Sequence, residues 1–179
     1  MIYLIGGSSH VGKTLLAQTL LEQLSYPYLS LDHLKMGLIR TGLTSLTVED
    51  DDEMREFLWP IAAEMIKTAI ENRQNLIVEG CYIPADWQRS FSEEYLRSIR
   101  SVFLVMSEQY LRARFDEVCS YANVIEQRLC DDPDLERLIR CSRWFMEECR
   151  KSGTPYLKIT EKYDAVSVTE RAKKLLEIL

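Results

Sequence analysis

The first fourteen residues carry the residue types and spacing that phosphate chemistry needs. Residues 7–14 read GSSHVGKT and fit the pattern G-x-x-x-x-G-K-[ST], which is the phosphate-binding loop or Walker A motif. Gly7 and Gly12 permit backbone conformations that turn successive N–H groups toward phosphate oxygens. Lys13 supplies a mobile positive charge for the β and γ phosphates of a nucleotide, and the Thr14 hydroxyl is a ligand for Mg²⁺.

The segments on either side of this loop have the pattern that the motif requires. The apolar run 2–5 predicts a strand, and the apolar residues that follow the loop recur at helical spacing up to about residue 24. A glycine-rich turn that binds nothing is the alternative, but the strand and helix favour a nucleotide site, to which the helix dipole adds positive charge. The predicted nucleotide ligands are Gly7, Ser8, Ser9, His10, Val11, Gly12, Lys13 and Thr14.

Composition excludes several classes of protein. The chain has 179 residues, of which 46% are apolar and 28% charged, as expected for one globular domain with a sizeable core. The formal net charge of −6 argues against a nucleic-acid-binding surface, and no apolar run approaches the ~20 residues of a membrane span. Five cysteines without a C-x-x-C pair, and two histidines, predict no zinc site. Reduced thiols and a motif that begins too early for a signal peptide predict a cytoplasmic protein.

The elements that must position the loop alternate along the chain. Further strands are predicted at 27–31, 75–80, 101–106 and 155–159, and helices at about 33–40, 54–74, 108–117, 133–151 and 167–179. This alternation predicts an α/β domain over residues 1–179 with a parallel sheet covered by helices on both faces. Pro60 is expected to kink or split the long helix, and segments 47–50 and 167–170 resemble helix-opening capping boxes.

Two carboxylates follow predicted strands at the edge where parallel sheets bind ligands. Asp32 follows strand two and is our candidate for the base that accepts a proton from an attacking hydroxyl; capping of a helix is the alternative role. Glu79 ends strand three and is a candidate ligand of Mg²⁺ and of substrate, the alternative being a solvated acid. Together with the loop, they predict phosphoryl transfer.

Basic residues supply candidates for charge stabilisation and substrate binding. Arg112, Arg114 and Arg128 flank a segment that is hard to assign, and a lid at about 112–134 would bring arginines to the transferred phosphoryl group. Solvated arginines on a helix surface are the alternative. Lys35 and Arg40 are candidates for contact with an anionic substrate, within a substrate-binding region at about 32–74.

With the loop, Asp32 and the stretch 77–80 (IVEG), the chain resembles the small P-loop kinases of the adenylate kinase, shikimate kinase and chloramphenicol phosphotransferase group. The resemblance implies a three-layer fold with a five-stranded parallel sheet in order 2-3-1-4-5. It also implies a substrate-binding region between strands two and three, a lid after strand four, and the use of ATP and Mg²⁺.

Two patterns within that group imply different acceptors. Residues 6–9 (GGSS) and 32–35 (DHLK) are similar to chloramphenicol phosphotransferase and the zeta toxins, in which the Asp acts as base toward a substrate hydroxyl. Residues 79–84 (EGCYIP) resemble the Asp-Gly-Phe-Pro-Arg stretch of adenylate kinases, but Ala85 stands where the arginine is expected. The sequence therefore favours a small hydroxyl compound over a nucleoside monophosphate. A nucleotide-dependent switch is a third possibility, although the Asn-Lys-x-Asp motif of Ras-type GTPases is missing.

Overall fold

The computed structural model describes residues 1–120 and 134–178, and every structural statement below concerns those residues. Five strands form a parallel sheet in the order β2-β3-β1-β4-β5, which confirms the predicted order. The strands are β1 (Ile2–Gly7), β2 (Tyr28–Ser30), β3 (Leu76–Glu79), β4 (Ile99–Met106) and β5 (Tyr156–Ile159).

Helices lie between successive strands, as the crossover connections of a parallel sheet require. They are α1 (Lys13–Leu24), α2 (Leu31–Arg40), α3 (Asp51–Glu71), α4 (Glu93–Leu96), α5 (Glu108–Ser120), α6 (Leu135–Ser152) and α7 (Ala165–Leu175), with a 3₁₀ turn at Trp87–Ser90. Among these helices, none is long and apolar enough to cross a membrane.

Two apolar clusters cover the two faces of the sheet, because successive side chains of a strand point to opposite faces. Leu4 of β1 packs in a cluster with Leu58 of α3 and Phe145 of α6. The neighbouring Ile5 packs in a second cluster that contains Leu20 of α1. The predicted three-layer α/β architecture is therefore confirmed.

Several predicted boundaries are wrong. α2 begins at Leu31, so Asp32 lies in the first turn of that helix instead of ending the strand. α3 runs without a break through Pro60, which does not split it. Pro60 is exposed, so water can satisfy the carbonyl that loses its partner, while Leu58 and Ala62 on either side are fully buried and hold the helix in place.

The two predicted capping boxes do not open helices. In the first, the Asp50 carboxylate accepts hydrogen bonds from the backbone N–H and hydroxyl of Thr47 at 2.7 and 2.9 Å, but α3 begins only at Asp51. The second lies inside α7, whose N-cap is Asp164; its carboxylate accepts from the Ser167 backbone N–H at 3.1 Å. Aspartate is among the best N-cap residues. The N-cap of α7, Asp164, lies three residues before the predicted cap at position 167.

Candidate active site

The phosphate-loop candidate joins the end of β1 to the start of α1, and its two glycines are required by both conformation and space. Gly7 has φ +120°, and a Cβ there would lie 2.0 Å from the Leu104 carbonyl oxygen of β4. Gly12 has φ +90°, and its Cβ would lie 2.4 Å from the Tyr163 hydroxyl. Positive φ angles disfavour side chains on their own, so any other residue would disturb this loop.

Lys13 is held across the loop. Its side chain is buried, and Nζ donates a 2.7 Å hydrogen bond to the backbone carbonyl of Ser8. Ser8 and Val11 are also buried, whereas Ser9 and His10 are half-buried, with His10 at φ +60°. The structure thus places a lysine ammonium over the backbone of a glycine-bounded loop, an arrangement suited to phosphate oxygens.

Thr14 and Glu79 meet beside the loop. The Thr14 hydroxyl lies 3.4 Å from Oε2 of Glu79, and the Glu79 carboxylate is 1% exposed at the end of β3. A hydroxyl and a carboxylate are the oxygen donors that Mg²⁺ prefers, so these two residues fit that ion. In the described ranges, no group of three or more His, Cys, Asp or Glu side chains could hold a metal. Mg²⁺ here would therefore take its other ligands from phosphates and water, as it commonly does.

Strand register brings Asp32 to the same edge. Ser30, the last residue of β2, pairs with Glu79, the last residue of β3, and Ile5 of β1 pairs with Glu79 from the other side. Asp32 follows Ser30 by two residues, in the first turn of α2. The loop, Glu79 and Asp32 therefore lie along one edge of the sheet.

A polar network extends from Asp32 to the start of α6. Lys35 Nζ lies 3.1 Å from Oδ1 of Asp32 and donates a 2.7 Å hydrogen bond to the Tyr82 hydroxyl. That hydroxyl donates to Asp51 at 3.2 Å, and the other carboxylate oxygen of Asp51 accepts from Arg137. We call these five residues the acceptor-side network. The bond to Asp51 raises the pKa of Arg137, and burial raises the pKa of Tyr82, so both groups stay protonated.

Arg55 packs next to this network. Its guanidinium lies 4.5 Å from the centre of the Trp144 ring, a cation–π contact, and donates to Asp52 at 2.8 Å. Its Nε also approaches the Cys81 carbonyl at 3.4 Å. Burial, and next the charge of Asp32, raise the pKa of the Cys81 thiol to about 12, so it is not a nucleophile at neutral pH.

The sequence did not single out Asp51, Tyr82, Arg55 or Arg137. Asp51 directly follows the capping-box segment 47–50, and Tyr82 lies within the stretch that resembles adenylate kinases. Arg55 bonds Asp52 three residues away, but the other partners lie far apart in the chain, 31 residues for Tyr82 with Asp51 and 86 for Arg137 with Asp51. No local pattern identifies such pairs.

Helix α6 also contacts the phosphate-loop candidate. The Ser142 hydroxyl donates a 2.9 Å hydrogen bond to the Ser8 hydroxyl, and both side chains are buried. Burial raises the pKa of the neighbouring Cys141, against an opposing hydrogen bond from the Ser9 backbone. The helix that follows the predicted lid therefore touches both the loop and, through Arg137, the acceptor-side network.

The remaining predicted residues lie in other surroundings. Arg112 is half-exposed and bonds Glu108 at 3.0 Å and Glu136 of α6 at 2.8 Å. Arg114 donates a 2.7 Å hydrogen bond to Glu117, and the backbone angles of Arg114 are not helical although it lies within α5. Arg40 is exposed at the end of α2, and Arg128 lies outside the described residues.

Comparisons with known proteins identify the fold. No protein-family model matches the sequence, and no curated protein matches it either. Solved structures do match: a sugar kinase from Janibacter sp. HTCC2649 has a TM-score of 0.59 at 15% identity, covering 99% of this chain and 94% of that chain. Shikimate kinase from Bacteroides thetaiotaomicron has a TM-score of 0.56 at 18% identity, covering 99% and 98%. Shikimate kinase from Aquifex aeolicus has a TM-score of 0.55 at 17% identity, and the match covers 99% of this chain and 96% of that chain. The chain has the P-loop kinase fold. Within that fold, the loop at 7–14 occupies the turn between the first strand and first helix, and α6 precedes the last strand.

Proposed function

We propose that the protein is a kinase that uses ATP and Mg²⁺ to phosphorylate a hydroxyl group of a small molecule. The observation that carries this proposal is the pairing of Ser30 with Glu79 at the ends of β2 and β3. This pairing brings the Asp32 segment beside Glu79, which in turn contacts Thr14 of the loop. Solved kinases of the same fold, among them sugar and shikimate kinases, support the proposal.

Each part of the nucleotide side has a proposed role. The backbone of residues 7–14 and Lys13 bind the phosphates, because a buried ammonium beside backbone donors stabilises negative charge strongly. Thr14 and Glu79 hold Mg²⁺, directly or through water. When bound, Mg²⁺ neutralises charge on the β and γ phosphates. Arg112, Arg114 and Arg128 remain candidates for contact with the γ phosphate through a lid at about 112–134.

The acceptor side supplies the nucleophile and its base. The acceptor hydroxyl oxygen forms a bond to the γ phosphorus, the bond from that phosphorus to the bridging β–γ oxygen breaks, and ADP leaves with that electron pair. Asp32 takes the hydroxyl proton. The ion pair with Lys35 at 3.1 Å holds the Asp32 carboxylate in one orientation on α2.

The residue at position 85 favours a hydroxyl compound over a nucleoside monophosphate as acceptor. Ala85 follows Pro84, where adenylate kinases carry an arginine. Ala85 is 3% exposed, and its carbonyl accepts a 2.6 Å hydrogen bond from the Thr154 hydroxyl. This residue is thus part of the packed interior and offers no cation to a second phosphate. We also propose a cytoplasmic location, which suits the four described cysteines, all free thiols.

The test measures ADP release with ATP and a library of hydroxyl compounds. We expect one acceptor class to stimulate release, and Lys13→Ala to abolish it. Asp32→Asn should lower kcat by about 10²-fold or more, the usual range for a lost general base, with ADP affinity unchanged.

Asp86→Asn is the matched control for Asp32→Asn. Asp86 forms an ion pair with Arg89 at 3.1 Å with the same i, i+3 spacing, and the two side chains are 47% and 85% exposed. Full transfer by Asp32→Asn would reject Asp32 as base. Slow ATP hydrolysis that no compound in the library stimulates would instead favour a nucleotide-dependent switch.

A further inference from the structure

The cationic side chains near Asp32 are engaged by carboxylates of the chain itself. Lys35 pairs with Asp32, and Arg137 pairs with Asp51. Arg55 pairs with Asp52 at 2.8 Å. Three positive groups therefore face three negative ones, so the three pairs together carry no net charge.

The surroundings of these cations hold them in place. Lys35 is 12% exposed, and its ammonium also bonds the Tyr82 hydroxyl and lies 5.0 Å from the centre of the Tyr82 ring. Arg55 is 16% exposed and stacks on Trp144. Lys35 and Arg55 each have a carboxylate and a second partner, and Arg137, which is 61% exposed, has the Asp51 carboxylate, so each of the three cations is already paired.

From this balance we propose that the acceptor is a hydroxyl compound without net negative charge, such as a polyol or an amino sugar. This inference rests on the proposed function and specifies its substrate class. An anionic acceptor would have to displace Asp32, Asp51 or Asp52 from its cation. The displaced carboxylate, half-buried at Asp32 and Asp51 and 89% exposed at Asp52, would lose its cation and would repel the incoming anion.

A neutral hydroxyl compound can bind without breaking these pairs. A hydroxyl both donates and accepts, so it can donate to a spare carboxylate lone pair and accept from a spare N–H of the same ion pair. Arg40 does not alter the balance at Asp32, because it lies eight residues further along α2, about 12 Å along the helix axis.

The experiment compares acceptors that differ in charge. Release of ADP is measured with a library of hydroxyl compounds in matched pairs. Each pair contains a neutral or cationic compound and its carboxylate analogue, for example an aldose and its aldonic acid. We expect kcat/KM to be at least tenfold higher for the uncharged or cationic member. If an acid has a kcat/KM equal to or higher than that of its neutral partner, the inference is wrong, but the proposed kinase function still holds. No stimulation by any compound overturns the proposed function and, with it, this inference.

A charge substitution gives a second readout. Asp51→Asn leaves Arg137 without a carboxylate. The preference for the neutral member of a pair, which is the ratio of kcat/KM for the neutral compound to kcat/KM for its acid, should therefore fall by at least threefold. Glu170→Gln removes a carboxylate from another i, i+3 ion pair, with Lys173 at 3.3 Å on α7, and should leave the preference unchanged. If Asp51→Asn does not fold, Arg137→Gln should widen the preference instead. An unchanged preference in the folded variant contradicts the proposal.

Discussion

The Tyr82 hydroxyl provides the sharpest test of the acceptor-side network. The side chain is 1% exposed, and its hydroxyl accepts from Lys35 at 2.7 Å while donating to Asp51 at 3.2 Å. Because burial raises the pKa of Tyr82, the hydroxyl keeps its proton and can serve both partners. Tyr82→Phe keeps the buried ring and removes only this oxygen.

The expected magnitude follows from the partners that remain. A hydrogen bond to a charged group contributes about 1.5–3 kcal/mol. Lys35 keeps Asp32 and Asp51 keeps Arg137, so neither charge loses all its partners. We therefore expect a loss of about 2 kcal/mol, the value of one such bond, and a fall in Tm of roughly 4–8 °C for a chain of this size.

Urea unfolding and thermal melts measure the stability, and ADP release measures the activity. Lys35 loses a contact that fixes it against Asp32, so kcat should fall about tenfold at unchanged KM for ATP. Tyr95→Phe is the control, because its hydroxyl donates to Glu71 at 2.6 Å on the protein surface, and it should change neither stability nor kcat measurably. Equal effects of the two substitutions, or an unchanged kcat in Tyr82→Phe, would refute this reasoning.

Two further substitutions or treatments test the phosphate loop and its neighbourhood. Gly12→Ala should lower ADP affinity at least tenfold in titration calorimetry, because φ is +90° and a Cβ would lie 2.4 Å from the Tyr163 hydroxyl. Gly153→Ala, at φ +69° but in open space, should cost about 1–2 kcal/mol of stability and leave ADP affinity unchanged; equal ADP binding by both variants would contradict the loop assignment. Since the pKa of Cys81 is raised to about 12, roughly one thiol in 10⁴ is ionised at pH 8, so iodoacetamide should label Cys81 slowly until the pH rises or urea unfolds the protein. Peptide mass spectrometry follows that labelling, and rapid labelling of the native protein at pH 8 would count against the raised pKa of the Cys81 thiol.

Local chemistry made much of the fold predictable. The five strands were predicted within two residues of their observed ends, because each is an apolar run bounded by turn residues. Their alternation with helices predicted a parallel sheet, and the resemblance to P-loop kinases supplied the strand order that the structure confirms. Packing decided the boundaries that local signals placed wrongly. Pro60 remains inside α3 because the buried residues around it outweigh its poor helix propensity.

The sequence by itself predicted the phosphate-loop candidate, because consecutive residues 7–14 meet every requirement of that motif at once. It also placed Glu79 at the end of β3 and Asp32 within two residues of the end of β2, since strand patterns are local. Two of the three ion pairs near Asp32, Lys35 with Asp32 and Arg55 with Asp52, join residues three apart on one helix, so tertiary structure decided only the long-range contacts. Arg137 meets Asp51 across 86 residues of chain, and Lys35 meets Asp51 through a tyrosine that the core holds in place. Such pairs depend on the packing of α2, α3 and α6 against one edge of the sheet, which spacing in the sequence does not specify.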